Sequence, residues 1–126
     1  MSRIQTLVIA FAAGRGAFGV ALYAAPERVA AGWLGSDAER HPTQIAIRAL
    51  GARDVALAAG TVVAARSGKG LRGWLGAAMG SDISDIVATL IADGDRLPRN
   101  ARWGTVALAG VSVAAGAALL VAVEQS

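Results

Sequence analysis

Residues 104–123 read GTVALAGVSVAAGAALLVAV, a run of 20 residues without a charged side chain. A helix of about 20 apolar residues spans the roughly 30 Å of hydrocarbon in a bilayer. The run lies between Arg102 and Glu124, so it has the length of one crossing and charged residues near both ends. It therefore predicts a membrane-spanning helix.

Three other segments have a similar length but contain charged side chains: residues 4–24, 43–65 and 73–92. The connections are rich in proline, glycine and charge, as in RSGKGLR and DGDRLPRNAR, which is typical of turns. A charge at the centre of a lone helix costs about 2.5–3.5 kcal/mol on insertion, so these helices need neighbours. The chain is therefore predicted to be all-α, with a four-helix transmembrane bundle forming one membrane domain over 1–126. Its helices are expected near 4–24, 43–65, 73–92 and 103–123.

The composition agrees with this interpretation: 55% of the residues are hydrophobic, 17% are charged and none is cysteine. It excludes a disordered chain and a disulfide or zinc–cysteine scaffold. The net charge of +3 comes from dispersed basic residues without interleaved aromatics, so no nucleic-acid partner is expected. The competing interpretation is a soluble α/β domain whose first strand is TLVIAFAA. It leaves the uncharged run at 104–123 unexplained.

The connection after the first segment contains a shorter amphipathic stretch. Pro26 suits a helix start, and Val29 and Trp33 are spaced as neighbours on one helix face. This predicts a short interfacial helix between helices one and two. Trp74 and Trp103 begin helices three and four, where an aromatic ring anchors at headgroup depth.

The basic residues of the connections divide almost evenly between the two sides of the predicted bundle. Five acids accompany them on the side away from the termini, although acids weigh little in the charge rule for orientation. We expect an integral protein of a bacterial cytoplasmic (inner) membrane with both termini in the cytoplasm.

Six charged residues fall inside the predicted helices, and they balance in sign. Arg15, Asp54 and Asp82 lie near the middle of their segments and therefore at nearly the same depth, since a helix rises about 1.5 Å per residue. A buried charge persists when it is paired, and a guanidinium can hold a carboxylate with two hydrogen bonds. We expect one cluster with Arg15, Arg48 and Arg53 as binding or charge-pairing residues and Asp54, Asp82 and Asp85 as candidate catalytic residues.

This cluster has two interpretations. It is either a set of interhelical ion pairs, or a polar cavity in which one carboxyl group retains a proton while another accepts one. An ionisable side chain inside a membrane is a functional-site candidate by default. A proton path for transport would use the same residues.

Other motifs are better explained by packing. GRGAFG in the first helix matches a dinucleotide fingerprint in form, but the acid that the motif requires lies in a stretch without a strand pattern. Close helix packing explains these glycines, and Ala12 with Gly16 and Ser112 with Gly116 have the spacing of small-residue interfaces. His41 is the only histidine, so no metal site, no cofactor and no histidine-based catalytic triad is predicted.

The segment from Arg48 to Asp54 reads RALGARD, which is RxxGxRD, and it continues as VALAAG. It resembles an uncharacterised bacterial family of small four-helix integral membrane proteins. In that family a glycine-bearing first helix ends at a proline, like Gly16, Gly19 and Pro26 here. The resemblance covers the first half of the chain and implies a four-helix membrane fold without a settled activity.

Two functions fit these residues. Without a recognisable catalytic set, the small-residue packing faces favour an accessory, scaffold or oligomeric membrane component, whose partner is a second copy or another membrane protein. The alternative is a membrane-embedded enzyme or proton-coupled carrier that acts on a lipophilic small molecule through the Asp/Arg cluster.

Overall fold

The computed structural model describes residues 1–126, which fold into helices without any strand. The prediction of an all-α chain is confirmed, with four long α-helices and one short one. The four long helices agree with the predicted segments to within two residues at each end, and the short one follows the first segment at Pro26 as expected. The helices are α1 Arg3–Ala24, α2 Pro26–Leu34, α3 His41–Ser67, α4 Leu71–Ile91 and α5 Ala101–Gln125, with short 3₁₀ turns at Gly35–Glu39 and Gly94–Arg96.

Capping residues set several helix ends. The Ser2 hydroxyl accepts a hydrogen bond from the Gln5 amide at 3.1 Å, as an N-cap does. Pro26 and Pro42 occupy the first turns of α2 and α3, where a missing N–H leaves no hydrogen bond unmade. α3 ends at Gly68, whose φ of 70° is the left-handed conformation that closes many helices.

Buried residues in α1, α3 and α4 recur in steps of three and four, the spacing of helices that pack side by side. We call these rows the packing seams. Most of their members are small, so the helix backbones approach closely. The seams contain Val8, Ala12, Gly19 and Leu22 in α1; Ile47, Gly51, Asp54, Ala58, Thr61 and Ala65 in α3; and Leu75, Ala78, Asp82 and Thr89 in α4.

The closest approach between α1 and α3 is a contact between two glycines. A Cβ atom added to Gly19 would lie 2.5 Å from the Gly51 carbonyl oxygen, and one added to Gly51 would lie 2.5 Å from the Gly19 carbonyl oxygen. Gly16 also faces α3, 3.2 Å from the Ala58 Cβ by the same construction, whereas Gly14 meets nothing within 4 Å. Of the three glycines in GRGAFG, Gly16 and Gly19 therefore permit close contact with α3, whereas Gly14 faces open space.

The bundle consists of two antiparallel pairs, α1 with α3 and α4 with α5, joined where α3 contacts α4. One end holds both termini: the Gln5 side chain donates to the Ala65 carbonyl at 2.7 Å, and Arg72 pairs with Glu124. The other end holds α2, which packs on the end of α1 and the start of α3. α1 and α5 make few contacts with each other, so the bundle is open along that side. The cluster that secures α2 contains Leu22, Ala30, Ala38 and Ile47.

Three helices, α1, α4 and α5, are long and apolar enough to cross a membrane. α3 is 27 residues long but carries Arg48, Arg53 and Asp54 at its centre, which places it outside that group. α5 is the most exposed, since only 6% of its most apolar window is buried inside the bundle.

Candidate functional site

The packing seams bring charged residues to the centre of the bundle. Asp54 and Asp82 are seam members themselves, and Arg15 occupies the step between Ala12 and Gly19 in α1. The side chains of Arg15, Asp54 and Asp82 are 8%, 6% and 9% exposed. Because neighbouring seam residues are glycine or alanine, long polar side chains have room to meet at this level.

Arg15 holds Asp82 with two parallel hydrogen bonds between α1 and α4. Its Nη1 lies 3.0 Å from Asp82 Oδ1 and its Nη2 lies 2.5 Å from Oδ2. Ser112 of α5 completes the group: its hydroxyl accepts from Arg15 Nη2 at 3.1 Å and donates to Asp82 Oδ2 at 2.7 Å. Such a forked pair is among the strongest charge-assisted arrangements in proteins.

Arg53 forms a second forked pair, with Asp85. The Nη1 to Oδ1 and Nη2 to Oδ2 distances are 3.0 and 2.8 Å. This pair is more accessible, since the Arg53 and Asp85 side chains are 32% and 23% exposed. It joins α3 to α4, as the first pair joins α1 to α4.

Asp54 lies between the two pairs and connects them. Its Oδ1 accepts from Arg15 Nη1 at 3.4 Å and from Arg53 Nε and Nη2 at 3.3 and 3.1 Å. Its Oδ2 accepts no hydrogen bond from the chain and retains a small accessible surface. The result is a line of alternating charges: Asp82, Arg15, Asp54, Arg53 and Asp85.

Arg48 is not part of this line, which corrects the expectation of three arginines against three aspartates. Its Nε donates to the Tyr23 carbonyl at 3.0 Å, near the end of α1. The reason is position: six residues place Arg48 about 9 Å along the helix from Asp54, and it follows the seam residue Ile47 by about 100° of rotation. The charged line therefore contains two guanidinium groups and three carboxylates, a formal charge of −1.

Four members of the charged line, all except Arg53, line a cavity of about 580 Å³. Ligand pockets commonly enclose about 300–1,000 Å³, so the volume suits a small molecule. The charged side chains and Ser112 lie at one level of the cavity, Thr105 and Trp33 also contribute polar groups to the lining, and the remaining lining is mostly apolar. The lining includes Phe11, Gly14, Phe18, Trp33, Leu108 and Ser112, together with Arg15, Asp54, Asp82 and Asp85.

Trp33 connects α2 to the cavity. Its indole Nε1 donates to the Thr89 hydroxyl at 3.2 Å, and that hydroxyl donates to the Asp85 backbone carbonyl at 2.8 Å. The short helix therefore contributes a cavity wall as well as covering the end of the bundle. The other two tryptophans, Trp74 and Trp103, are exposed and lie elsewhere.

Sequence reasoning placed Arg15, Arg53 and the three aspartates together, and the structure brings all five into contact. It assigned Ser112 only to packing and did not find the aromatic lining. One signal for Ser112 was present, since it is one of only two hydroxyl-bearing residues in the uncharged run at 104–123. Ser81, the residue before Asp82, has a buried hydroxyl without a partner.

Comparison with known proteins identifies no relative: no family model, no curated protein and no solved structure matches the chain. The resemblance carried by RxxGxRD therefore stays a prediction.

Proposed function

We propose that the protein is a small integral membrane protein with four spanning helices that binds a lipophilic small molecule in the cavity between α1 and α5. The supporting observation is the cavity itself, with apolar walls and charged groups at the middle of the bundle. Ion pairs that served only to join helices would need no adjacent space of about 580 Å³.

The fourth span in this proposal is α3. At about 1.5 Å per residue, its 27 residues extend about 40 Å, enough to cross a bilayer. Asp54 is buried beside Gly19 of α1, and its charge is met by two arginines. A helix that inserts poorly alone is stabilised by such partners. In this arrangement both termini are cytoplasmic, beside the connection RSGKGLR, which carries basic residues and no acid.

Cysteine labelling separates four spans from three. We expect Ser36→Cys to react with a membrane-impermeant maleimide added to intact cells, and Ser126→Cys to react only after permeabilisation. The chain has no cysteine, so each variant carries one thiol. If α3 did not cross the membrane, the two positions would lie on the same side and label alike.

Binding is the step that an enzyme and a proton-coupled carrier share. Asp54, Asp82 and Asp85 supply carboxylates that can accept protons, while Arg15 and Arg53 pair with them.

A second candidate function, that of an oligomeric or accessory component, is favoured by the outward face of α5. Its exposed residues recur in steps of three and four and include Gly104, Ala107, Val111, Ala114 and Ala118.

Native mass spectrometry of the protein purified in a mild detergent tests ligand binding. We expect a one-to-one adduct with a small molecule, and we expect Gly14→Phe to remove it. Gly14 lines the cavity and a Cβ there meets nothing within 4 Å, so the larger side chain fills the space without a backbone clash.

The matched control is Gly76→Phe, at a helical glycine that also faces open space but does not line the cavity. It should retain the adduct. An adduct that is absent, or that survives Gly14→Phe, would contradict the proposal. A bound polypeptide or a discrete oligomer without an adduct would favour the second candidate.

A further inference from the structure

We propose that the cavity selects a lipophilic cation, with Asp54 as the carboxylate that meets its charge. This inference rests on the proposed function and adds the charge class of the ligand. Its first support is the unequal count of charges in the charged line, two guanidinium groups against three carboxylates. In a poorly hydrated site, an uncompensated charge is unfavourable, so a ligand of opposite sign gains from binding there.

The surplus negative charge is located at Asp54. Asp82 and Asp85 each have a forked arginine partner at 3.0 Å or less. Asp54 shares those same arginines at 3.1–3.4 Å, through Oδ1 alone. Its side chain is 6% exposed and lines the cavity, and Oδ2 has no partner in the chain. An unpartnered carboxylate oxygen beside an apolar space is suited to a positive group.

An anion finds no equivalent partner. Four hydrogen bonds from the two Nη atoms of Arg15 go to Asp54, Asp82 and Ser112. Its Nε has no hydrogen-bond partner, but it is fully buried and therefore not exposed to a ligand in the cavity. Arg53 does not line the cavity. Both arginines are therefore engaged by carboxylates, and an anion would meet the surplus negative charge instead.

The aromatic lining supports the same ligand class. The chain has six aromatic residues of the Phe, Trp and Tyr types, and three of them, Phe11, Phe18 and Trp33, line this cavity. The faces of aromatic rings attract cations, and the attraction increases when the site is desolvated. Apolar rings also accommodate the hydrophobic body of such a ligand.

Two ions of the same shape and opposite charge, tetraphenylphosphonium and tetraphenylborate, test the inference. Binding is measured by equilibrium dialysis of the detergent-solubilised protein, with the Gly14→Phe variant in the same micelles giving the background for each ion. We expect specific binding of the phosphonium at least about tenfold tighter than that of the borate. We also expect Asp54→Asn to reduce the affinity for the phosphonium about tenfold or more and to leave borate binding equal or stronger.

Asp54→Asn is suited to this comparison because both forked pairs remain, and the charged line then contains two guanidinium groups and two carboxylates. Circular dichroism and gel filtration should show an unchanged fold. Asp95→Asn, which removes an acid from the exposed connection before α5, is the charge-matched control and should bind the phosphonium like the original protein.

The outcomes separate the two proposals. If both ions bind equally and Gly14→Phe abolishes both, the cavity is a ligand site but the charge selectivity is wrong. Preference for the borate, or phosphonium binding unaffected by Asp54→Asn, also overturns the inference. If neither ion binds specifically, the inference fails, and the adduct in native mass spectrometry decides separately whether the cavity binds any ligand.

Discussion

Arg15→Met is expected to destabilise the protein by about 3–5 kcal/mol, because it leaves buried carboxylates without their partner. The change removes both hydrogen bonds of the forked pair with Asp82 and one to Asp54. Those carboxylates are 9% and 6% exposed, so water does not replace the lost partner. Thermal unfolding followed by circular dichroism in a mild detergent measures the loss.

Arg48→Met is the matched control. Arg48 lies in the same set of predicted intrahelical arginines, but it donates only to a backbone carbonyl and forms no ion pair. We expect a loss of about 1 kcal/mol or less. Equal losses for the two variants would contradict the assignment of Arg15 to the buried line. A double variant, Arg15→Met with Asp82→Leu, should be more stable than Arg15→Met alone, because it no longer leaves the Asp82 carboxylate unpaired.

Gly51→Ala is expected to destabilise the bundle by about 1–3 kcal/mol, against the usual helix preference for alanine. The added Cβ would lie 2.5 Å from the Gly19 carbonyl oxygen and 3.0 Å from both the Leu22 Cβ and the Tyr23 amide nitrogen. Two of these three atoms belong to backbone, which cannot turn aside as a side chain can. α1 and α3 would therefore have to separate along the seam.

Gly14→Ala is expected to change the stability in the opposite direction. Gly14 lies within α1, and a Cβ added there meets nothing within 4 Å. Helix propensity alone then acts, and we expect a gain of up to about 1 kcal/mol. Unfolding curves for the two variants in one detergent give the comparison directly. A gain at both positions would contradict the close glycine contact between α1 and α3, and a loss at both would contradict the open surroundings of Gly14.

The helix boundaries were predictable because proline, glycine and charge are concentrated in the connections. The proximity of Arg15, Asp54 and Asp82 was also predictable, because helices of similar length bring their midpoints to one level. The balance of charges wrongly placed Arg48 in the cluster, because a count of charges ignores rotation about the helix axis. The three-and-four spacing of the buried residues in α3 runs through Ile47, Gly51 and Asp54 and leaves Arg48 aside.

Arg53 shows where such reasoning ends. Like Arg48 it lies off the seam, next to one of its members, yet its long side chain reaches Asp85 on α4. Whether it does so depends on how α4 is placed against α3, and the spacing of residues within α3 does not determine that placement. The cavity is a similar case, because it arises from the weak contact between α1 and α5 and from the position of α2.

The gap between α1 and α5 determines whether the proposed ligand enters the cavity from the lipid or from the aqueous phase. Phe18 and Leu108, which line it from the two helices, are 44% and 66% exposed on the side of the bundle rather than at its end. In a bilayer that side faces hydrocarbon, so the relevant ligand concentration is the one dissolved in the lipid. Apparent affinity measured against total aqueous ligand should then rise with the partition coefficient, even among compounds that make identical contacts with the protein.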